Sequence, residues 1–323
     1  MTDELNDIQS LREYLRDRII GQHHLVDRLL IALLADGHLL VEGAPGLAKT
    51  KAIKTLADGI EGEFQRIQFT PDLLPSDITG TDIYRAQSGE FQFQPGPIFS
   101  NLVLADEINR APAKVQSALL EAMAERQISV GNETRALPEL FLVMATQNPI
   151  EQEGTYPLPE AQLDRFLLHV VVDYPDADAE HQILQLVRNE QREKSTGSAE
   201  PSRHISQSTL FEARSAMLKL HMEPVVEQYM VDLVVMSRQP SDIDDELASW
   251  ISFGASPRGT IALDLAARGH AFLAGKDFVS PDDVQAVAHD VLRHRLILSF
   301  EAEAKGVSTN QAVSRLIERV ATI

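Results

Sequence analysis

Cysteine is absent from the 323-residue chain, which excludes disulfides, thiolate metal sites and a cysteine nucleophile and suits a reducing compartment. Long apolar runs are also missing. The most apolar stretch, residues 29–40, is interrupted by Asp36, Gly37 and His38, whereas a membrane span needs about 20 apolar residues. The acidic N-terminus has no basic segment ahead of an apolar stretch, as a signal peptide would. We therefore expect a cytoplasmic protein without a membrane span.

Basic residues are few: the chain has 29 Lys and Arg and 48 Asp and Glu, which gives a net charge of -19. A field of that sign repels polyphosphate, so binding to nucleic acid or to an anionic membrane is disfavoured. The length favours about two domains, and a core of this size can bury about 75% of the surface of the unfolded chain. Composition thus indicates an ordinary globular protein, in which only local basic patches could override this repulsion.

Short apolar runs alternate with helical patterns in the first half of the chain, which is typical of a parallel sheet covered by helices on both faces. The predicted strands are residues 38–42, 64–69, 102–104, 140–145 and 166–172, and the predicted early helices are residues 8–19 and 26–34. After Pro175 only helices are predicted, at residues 178–194, 208–220, 225–237, 260–274 and 282–292. We therefore predict an α/β domain over residues 1–175 and an all-helical domain over residues 176–323.

A glycine-rich loop follows the first predicted strand and opens a helix. It reads Gly43-Ala44-Pro45-Gly46-Leu47-Ala48-Lys49-Thr50, the layout of a phosphate-binding loop (P-loop) with alanine in place of the glycine before the lysine. In such a loop the backbone N–H groups form a concave anion site, Lys49 neutralises the β- and γ-phosphates, and Thr50 reaches Mg²⁺. We expect the methyl group of Ala48 to leave the cradle intact. A plain Gly/Pro turn before a helix is the alternative.

Two further strands end in polar side chains. Leu102-Val103-Leu104-Ala105-Asp106-Glu107 is an apolar strand ending in two carboxylates, the Walker B arrangement, in which Asp106 holds Mg²⁺ or its water and Glu107 polarises the attacking water. The next strand ends at Asn148, which could orient that water, because ligands of doubly wound sheets bind at the carboxyl ends of the strands. A turn asparagine before proline is the alternative for Asn148.

The segments GAPGLAKT, ADEINRAP, ATQNP, LPEAQLDRF and SPRG, in this order, resemble the MoxR family of AAA+ ATPases. The resemblance extends from Ile20 to about Leu298. It implies a P-loop AAA+ domain with a helical lid, hydrolysis of ATP to ADP and phosphate with Mg²⁺, and a homo-oligomeric ring, most simply a hexamer. It also implies remodelling or maturation of a partner protein that bears a von Willebrand factor A domain. The sequence does not name the client.

The resemblance also assigns roles to single residues. Asn148 matches sensor 1, Arg165 matches the arginine finger that reaches the nucleotide of the neighbouring subunit, and Arg258 matches sensor 2, reaching from the lid to the γ-phosphate. Each arginine can offset charge on a transferring phosphoryl group. The alternatives are a surface ion pair of Arg165 with Asp164 or Glu160, and a helix-start arginine at Arg258 near Asp264.

Other segments allow more than one interpretation. By resemblance, Ile20, Gly21 and Gln22 line the adenine. Arg110 either faces a subunit interface or forms a plain salt bridge. The histidine pair His289 and His294 lies on a predicted helix but lacks the supporting acids of a zinc site.

Residues 84–95 and 127–138 read as two hairpins that turn at Ser88-Gly89 and Gly131-Asn132. By resemblance such hairpins face the pore of the ring. Phe91 and Phe93 then either contact a partner protein or pack onto their own domain.

Three rival functions stay open beside the ATP-driven remodelling factor. A nucleic-acid motor is opposed by the net charge and by the lack of a basic stripe. A nucleotide-bound scaffold that does not hydrolyse ATP is opposed by the presence of Glu107, Asn148 and Arg165. A chelatase-like ATPase subunit would act with its own metal-inserting partner.

Overall fold

The computed structural model describes residues 3–87, 89–131, 133–149, 154–196 and 204–321. Its strands are β1 (Leu39–Gly43), β2 (Phe64–Gln68), β3 (Gly80–Arg85), β4 (Glu90–Pro95), β5 (Leu102–Asp106), β6 (Gln127–Val130), β7 (Glu133–Ala136), β8 (Leu142–Gln147), β9 (Leu168–Val172), β10 (His221–Met222), β11 (Ile251–Phe253), β12 (Phe278–Val279) and β13 (Ile297–Leu298).

The helices of the same residues are α1 (Asp3–Arg18), α2 (His23–Leu34), α3 (Lys49–Ala57), α4 (Pro75–Thr79), α5 (Ala113–Glu125), α6 (Glu160–Leu163), α7 (Ala177–Thr196), α8 (Gln207–Leu218), α9 (Pro224–Arg238), α10 (Asp245–Trp250), α11 (Pro257–Leu273), α12 (Pro281–Leu292), α13 (Phe300–Ala304) and α14 (Thr309–Arg319). Short 3₁₀ turns occur at Pro97–Phe99, Ile108–Arg110 and Pro240–Asp242. None of these helices is long and apolar enough to cross a membrane.

A five-stranded parallel sheet forms the first half of the chain, in the order β2-β5-β8-β1-β9. Its central strands are buried on both faces, because alternate residues enter different apolar clusters. Val41 and Leu104 pack into one cluster, whereas Leu40 and Val103 pack into the other. Continuous apolar strands of this kind are the signature of a sheet covered on both sides. The predicted α/β core is confirmed, with strand ends shifted by one or two residues.

Parallel strands place their carboxyl ends at one edge of the sheet and their amino ends at the other. The segments that follow β1, β5 and β8 therefore meet at one edge. His38, which precedes β1, and Arg165, which lies three residues ahead of β9, lie at the opposite edge. Five residues of β1 at about 3.3 Å each separate the two edges by roughly 16 Å. This separation governs which predicted site residues can meet within one chain.

The second half of the chain is helical, as the sequence predicts, but it is not free of strands. β10 pairs with β12 and β11 pairs with β13, so the expectation that no strand recurs after Pro175 was wrong in detail. These strands are only two or three residues long, too short to show a period of two in the sequence.

Both predicted hairpins are present, as the antiparallel pairs β3–β4 and β6–β7. Gly89 and Gly131 have positive φ angles of 72° and 62°, which is the conformation that tight turns require and that glycine adopts without steric cost. The other predicted turn residues, Ser88 and Asn132, lie outside the described residues. The hairpins thus form where the turn signals placed them.

The two aromatic residues of the first hairpin have different surroundings. Phe93 packs edge-on against Phe99 at 5.6 Å between ring centroids, and the guanidinium of Arg135 from the second hairpin lies 4.1 Å from its ring. Phe91 is 72% exposed and contacts only the ring of Tyr84 among the described aromatic residues. Phe93 therefore joins the two hairpins of its own domain, while Phe91 presents an apolar ring to solvent.

A buried ion cluster ties the helical half to the core. Asp290 of α12 is 2% exposed and accepts from Arg28 of α2 at 2.5 Å, from Arg293 at 3.1 Å and from His24 at 3.1 Å. Burial by itself would raise the pKa of Asp290. The His24 hydrogen bond and the charges of Arg28 and Arg293 outweigh burial and lower the pKa to about 2. Asp290 is therefore a carboxylate at neutral pH, held between two arginines.

Replacing Asp290 by Asn should lower the free energy of unfolding by about 3–5 kcal/mol, because it leaves the buried cation of Arg28 without its counter-charge. Denaturant unfolding at pH 7 measures the loss. Asp282→Asn, an exposed acid on the same helix, is the matched control and should cost about 1 kcal/mol or less.

The ion pair of Asp290 with Arg28 should also make the stability of the protein depend on pH. The folded-state pKa of Asp290 is depressed from 3.8 to about 2, so its stabilisation is fully present above pH 3.8 and is lost as the pH falls towards 2. The stability difference between wild type and Asp290→Asn should accordingly shrink over that window. A difference that stays constant down to pH 2 would contradict the assignment.

Candidate nucleotide-binding site

The predicted P-loop connects β1 to α3 and bends sharply before Lys49. Gly46 has a φ of 86°, and Ala48 also lies in the left-handed region, with φ 57° and ψ 14°. A left-handed conformation costs a residue with a Cβ about 1–2 kcal/mol, which explains why glycine is usual at this position. The methyl group is accommodated, as the sequence analysis expects, but the loop is strained there. Strained backbone of this kind concentrates at functional sites.

A cleft of about 370 Å³ opens above the carboxyl ends of β1, β5 and β8. It is lined by Pro45, Gly46, Leu47, Ala48, Lys49, Thr50, Lys51, Arg66, Asp106, Glu107, Thr146 and Asn148. Gly43 and Ala44 precede these residues, and a Cβ on Gly43 would meet the carbonyl oxygen of Val172 at 2.7 Å. The first N–H groups of a helix have no partner within the helix, so the start of α3 is suited to bind an anion in this cleft. The residues predicted to form the P-loop, the Walker B strand end and sensor 1 thus line one cleft.

Lys49 projects into the cleft from the first turn of α3. Its Nζ donates to the carbonyl oxygens of Gly43 and, at 3.4 Å, of Gln147. Burial lowers the pKa of Lys49, and the carboxylates of Asp106, Glu107 and Glu42 act in the opposite direction. The ammonium group therefore lies among acids and carbonyls at the point where a polyphosphate would need a cation.

Asp106 ends β5 with both carboxylate oxygens engaged. Its Oδ2 accepts from Nε and Nη2 of Arg66 at 3.0 and 2.6 Å, and its Oδ1 accepts from the Thr146 hydroxyl at 2.6 Å. The oxygen of the same hydroxyl accepts from the backbone N–H of Glu107 at 2.9 Å. Carboxylate and hydroxyl oxygens are the ligands that Mg²⁺ prefers, so Asp106 and Thr50, which line one cleft, fit that ion by chemistry.

Glu107, the predicted general base, also has a left-handed backbone, with φ 56° and ψ 51°. Its Oε2 accepts from Nε2 of Gln68 at 3.0 Å and from Nη1 of Arg110 at 3.1 Å. Arg110 therefore makes the plain salt bridge that was one of its two predicted roles. The carboxylate is held at the mouth of the cleft by two side chains, at a cost in backbone strain.

Sequence reasoning did not find Arg66, Gln68 or Thr146. Arg66 and Gln68 are two residues apart in β2 and therefore lie on the same face of the strand. Arg66 also donates to the Gln68 side chain at 2.8 Å. The sequence did contain a signal for Arg66 and Gln68, since two polar residues at a spacing of two point from one face of a strand. Only the strand order shows that β2 is the neighbour of β5.

The predicted adenine stretch lies beside the P-loop. Ile20 and Gln22 line a small pocket with Gly46, Leu47, Ala48, Lys51, Pro175, Ile183 and Leu186. The side chain of Gln22 donates to the carbonyl oxygen of Asp173 at 2.9 Å. Gly21 does not line this pocket. Its φ is 76°, and an added Cβ would lie 3.0 Å from the Cβ of Ala179, so it lets the chain turn close to α7.

Arg165 and Arg258 lie together, but not in this cleft. Both line a second cleft of about 350 Å³ at the opposite edge of the sheet, with Arg126, Arg295 and His38. Arg165 donates through Nη1 to the carbonyl oxygen of Leu120 at 2.6 Å, rather than forming the ion pair considered as its alternative. Arg258 is 56% exposed, and its Nη1 is 3.9 Å from Asp164. Neither arginine lines the P-loop cleft of its own chain.

The histidine pair does not form a metal site. His289 bonds the hydroxyl of Ser314 at 2.9 Å, and His294, which lies beyond the end of α12, bonds the carbonyl oxygen of Phe166 at 3.1 Å. Across the described ranges, no group of three or more histidine, aspartate or glutamate side chains could hold a metal ion.

Comparison with known proteins agrees with this geometry. Residues 38–168 match the family model described as the ATPase family associated with various cellular activities (AAA), and residues 247–316 match an AAA lid domain. The crystal structure of an ATPase candidate from Cytophaga hutchinsonii superposes with a TM-score of 0.90 at 44% identity, covering 98% of this chain and 95% of that one.

Two relatives give the family its name. Chaperone MoxR1 of Mycobacterium tuberculosis is 46% identical over 304 residues, which cover 94% of this chain and 79% of the relative. Protein MoxR of Methylorubrum extorquens is 32% identical over 291 residues, which cover 87% and 84% of the two chains. With similarity of this extent over both domains, the chain belongs to the MoxR family of AAA+ ATPases.

Proposed function

We propose that this protein hydrolyses ATP at the interfaces of a homo-oligomeric ring, as a hexamer, and uses the cycle to remodel or mature a partner protein. One observation carries the proposal. The phosphate loop and the water-activating residues share one cleft, whereas the two arginines suited to the γ-phosphate share another cleft at the far edge of the sheet. In this proposal a single subunit holds two halves of the site, and neighbouring subunits join them.

Within one subunit, the side chains divide the work of binding and water activation. The loop N–H groups and Lys49 hold the β- and γ-phosphates, and Ile20 and Gln22 border the adenine. Asn148 orients the attacking water, and Glu107 accepts its proton. Asp106 and Thr50 would hold Mg²⁺, which neutralises phosphate charge when bound.

Arg165 and Arg258 complete the site of the neighbouring subunit in this proposal. Both line the cleft at the far edge of the sheet, and the two edges are separated by about one strand length, roughly 16 Å. The separation of the two clefts supports an action of Arg258, like that of Arg165, on the nucleotide of the neighbour rather than on that of its own chain. Both guanidinium groups would then stabilise the charge that spreads over the transferring phosphoryl group.

The remodelling role is supported by the relative named Chaperone MoxR1. A partner with a von Willebrand factor A domain follows from the family resemblance. The exposed ring of Phe91, at the hairpin that would face the pore, is suited to an apolar segment of such a partner. A nucleic-acid motor is opposed by the net charge of -19.

Glu107→Gln should bind ATP with unchanged affinity and lose turnover by about 10²–10⁴-fold, because the amide keeps the size of the side chain and removes its basicity. Calorimetry and phosphate release measure the two effects. Glu125→Gln, an exposed glutamate on α5, is the control and should keep full turnover. Normal turnover in Glu107→Gln would assign the base to another residue.

Lys49→Ala should abolish ATP binding, because it removes the ammonium group from the phosphate cradle. Lys54→Ala removes an exposed lysine from the same helix and should bind ATP like wild type. Calorimetric titration of both variants makes the comparison. Equal affinities would refute the P-loop assignment.

Mixing inactive subunits tests the ring mechanism. Arg165→Ala subunits keep an intact P-loop, and Lys49→Ala subunits keep intact arginines, so some mixed interfaces should regain hydrolysis. A finger supplied by a neighbour is worth about 10³–10⁵-fold in turnover, which makes the gain easy to measure. Mixed rings, verified by native mass spectrometry, that stay inactive would overturn the shared site.

A further inference from the structure

Asp164 and Arg295 occupy the base of the cleft that holds Arg165 and Arg258. We propose that these two residues form a positioning pair, which holds both arginines in the geometry that the neighbouring nucleotide requires. The inference rests on the proposed function, since it concerns residues that act across the subunit interface. Neither residue touches a nucleotide in this arrangement.

Arg295 is a buried cation that joins the lid to the segment carrying Arg165. It follows α12, its side chain is 2% exposed, and its Nε donates to Oδ1 of Asp164 at 2.9 Å. Its Nη2 and Nη1 also donate to the carbonyl oxygens of Phe166 at 2.7 Å and of Leu167 at 3.3 Å. Acceptors on both sides of Arg165 are therefore bound by one rigid guanidinium.

Burial lowers the pKa of Arg295 to about 10, and the neighbouring Asp164 carboxylate acts against that shift. The side chain is therefore charged at neutral pH. A charge buried to this degree is costly without a counter-charge and hydrogen-bond acceptors, and the segment around Arg165 supplies them through Asp164, Phe166 and Leu167.

Asp164 extends the same restraint to Arg258. Its Oδ2 accepts from the hydroxyl of Ser256 at 2.8 Å, and the oxygen of that hydroxyl caps α11 by accepting from the backbone N–H of Arg258 at 3.1 Å. One carboxylate thus binds Arg295 through one oxygen and the start of α11 through the other. The backbone positions of both arginines are set by their common neighbour, Asp164.

The solvent exposure of the side chains in this cleft fits a positioning role for Asp164 and Arg295. Arg258 is 56% exposed, so its guanidinium is accessible to a phosphate, whereas Asp164 and Arg295 are 17% and 2% exposed. Asp164 also lies between the like charges of Arg258 and Arg295, which repel each other. Removing the Asp164 carboxylate should free Arg165 and Arg258 to move. A misplacement of about 1 Å at a reacting centre can cost 10²-fold in rate.

The test places Asp164→Asn on one side of the mixed interface at a time. In the first mixture it is added to the Lys49→Ala subunit, which supplies the arginines. In the second it is added to the Arg165→Ala subunit, which supplies the P-loop. We expect the regained activity to fall by about 10²-fold in the first mixture and to stay within about twofold in the second.

Matched variants separate positioning from general damage. Asp36→Asn removes a charge from the same cleft, where Asp36 pairs with Arg126 and Arg214, and in the Lys49→Ala subunit it should leave the regained activity within about twofold. Ser256→Ala removes a single hydroxyl from the restraint and should give a smaller loss on the same side only. It carries the test if Asp164→Asn subunits do not fold.

The losses in the two mixtures and the activity of the parent mixture distinguish the positioning pair from the shared site. Equal losses in the two mixtures, or a loss in the second alone, overturn the positioning pair in favour of a structural role for Asp164. A parent mixture of Lys49→Ala and Arg165→Ala that forms rings without activity overturns the shared site itself, and the positioning pair with it. ATP affinity of the Arg165→Ala subunit with and without Asp164→Asn, measured by calorimetry, should be the same.

Discussion

Parallel alignment of β1, β5, β8 and β9 is the constraint on which the other features of this molecule depend. Because all four strands run in one direction, the segments after β1, β5 and β8 converge on a single cleft with Lys49, Asp106 and Asn148. The same alignment sends Arg165, which precedes β9, to the other edge. In the proposed ring, these two edges of neighbouring subunits supply the two halves of one phosphate site.

The helical lid is tied to this sheet by buried charges rather than by apolar packing alone. Asp290 of the lid meets Arg28 of the core, and Arg295 of the lid meets Asp164 of the core. Buried ion pairs contribute little net stability, because desolvation offsets their attraction, but breaking one is costly. Two such pairs favour one orientation of the lid, and that orientation determines where the start of α11 and Arg258 lie.

Backbone strain at the proposed catalytic cleft comes from the same local demands. Ala48 and Glu107 both adopt left-handed conformations without being glycine, one in the phosphate loop and one at the end of the acidic strand. Such residues persist only where their surroundings hold them. Glu107 is held by Gln68 and Arg110, and Ala48 is held between β1 and the first turn of α3. Strain is therefore found at two residues that line the proposed catalytic cleft.

Local sequence determined the α/β core and the order of strand, loop and helix around Lys49, Asp106 and Asn148, since each is a short pattern whose physical meaning depends on its immediate neighbours. The roles of these residues stay predictions. The family resemblance added Arg165 and Arg258, while the boundary at residues 175 and 176 stays a prediction. Tertiary structure alone decided that Arg66 and Gln68 face the Walker acids, that β10 to β13 pair, and that Arg258 lies with Arg165. Those facts depend on strand order and on the docking of the lid, which arise from contacts between residues far apart in the chain.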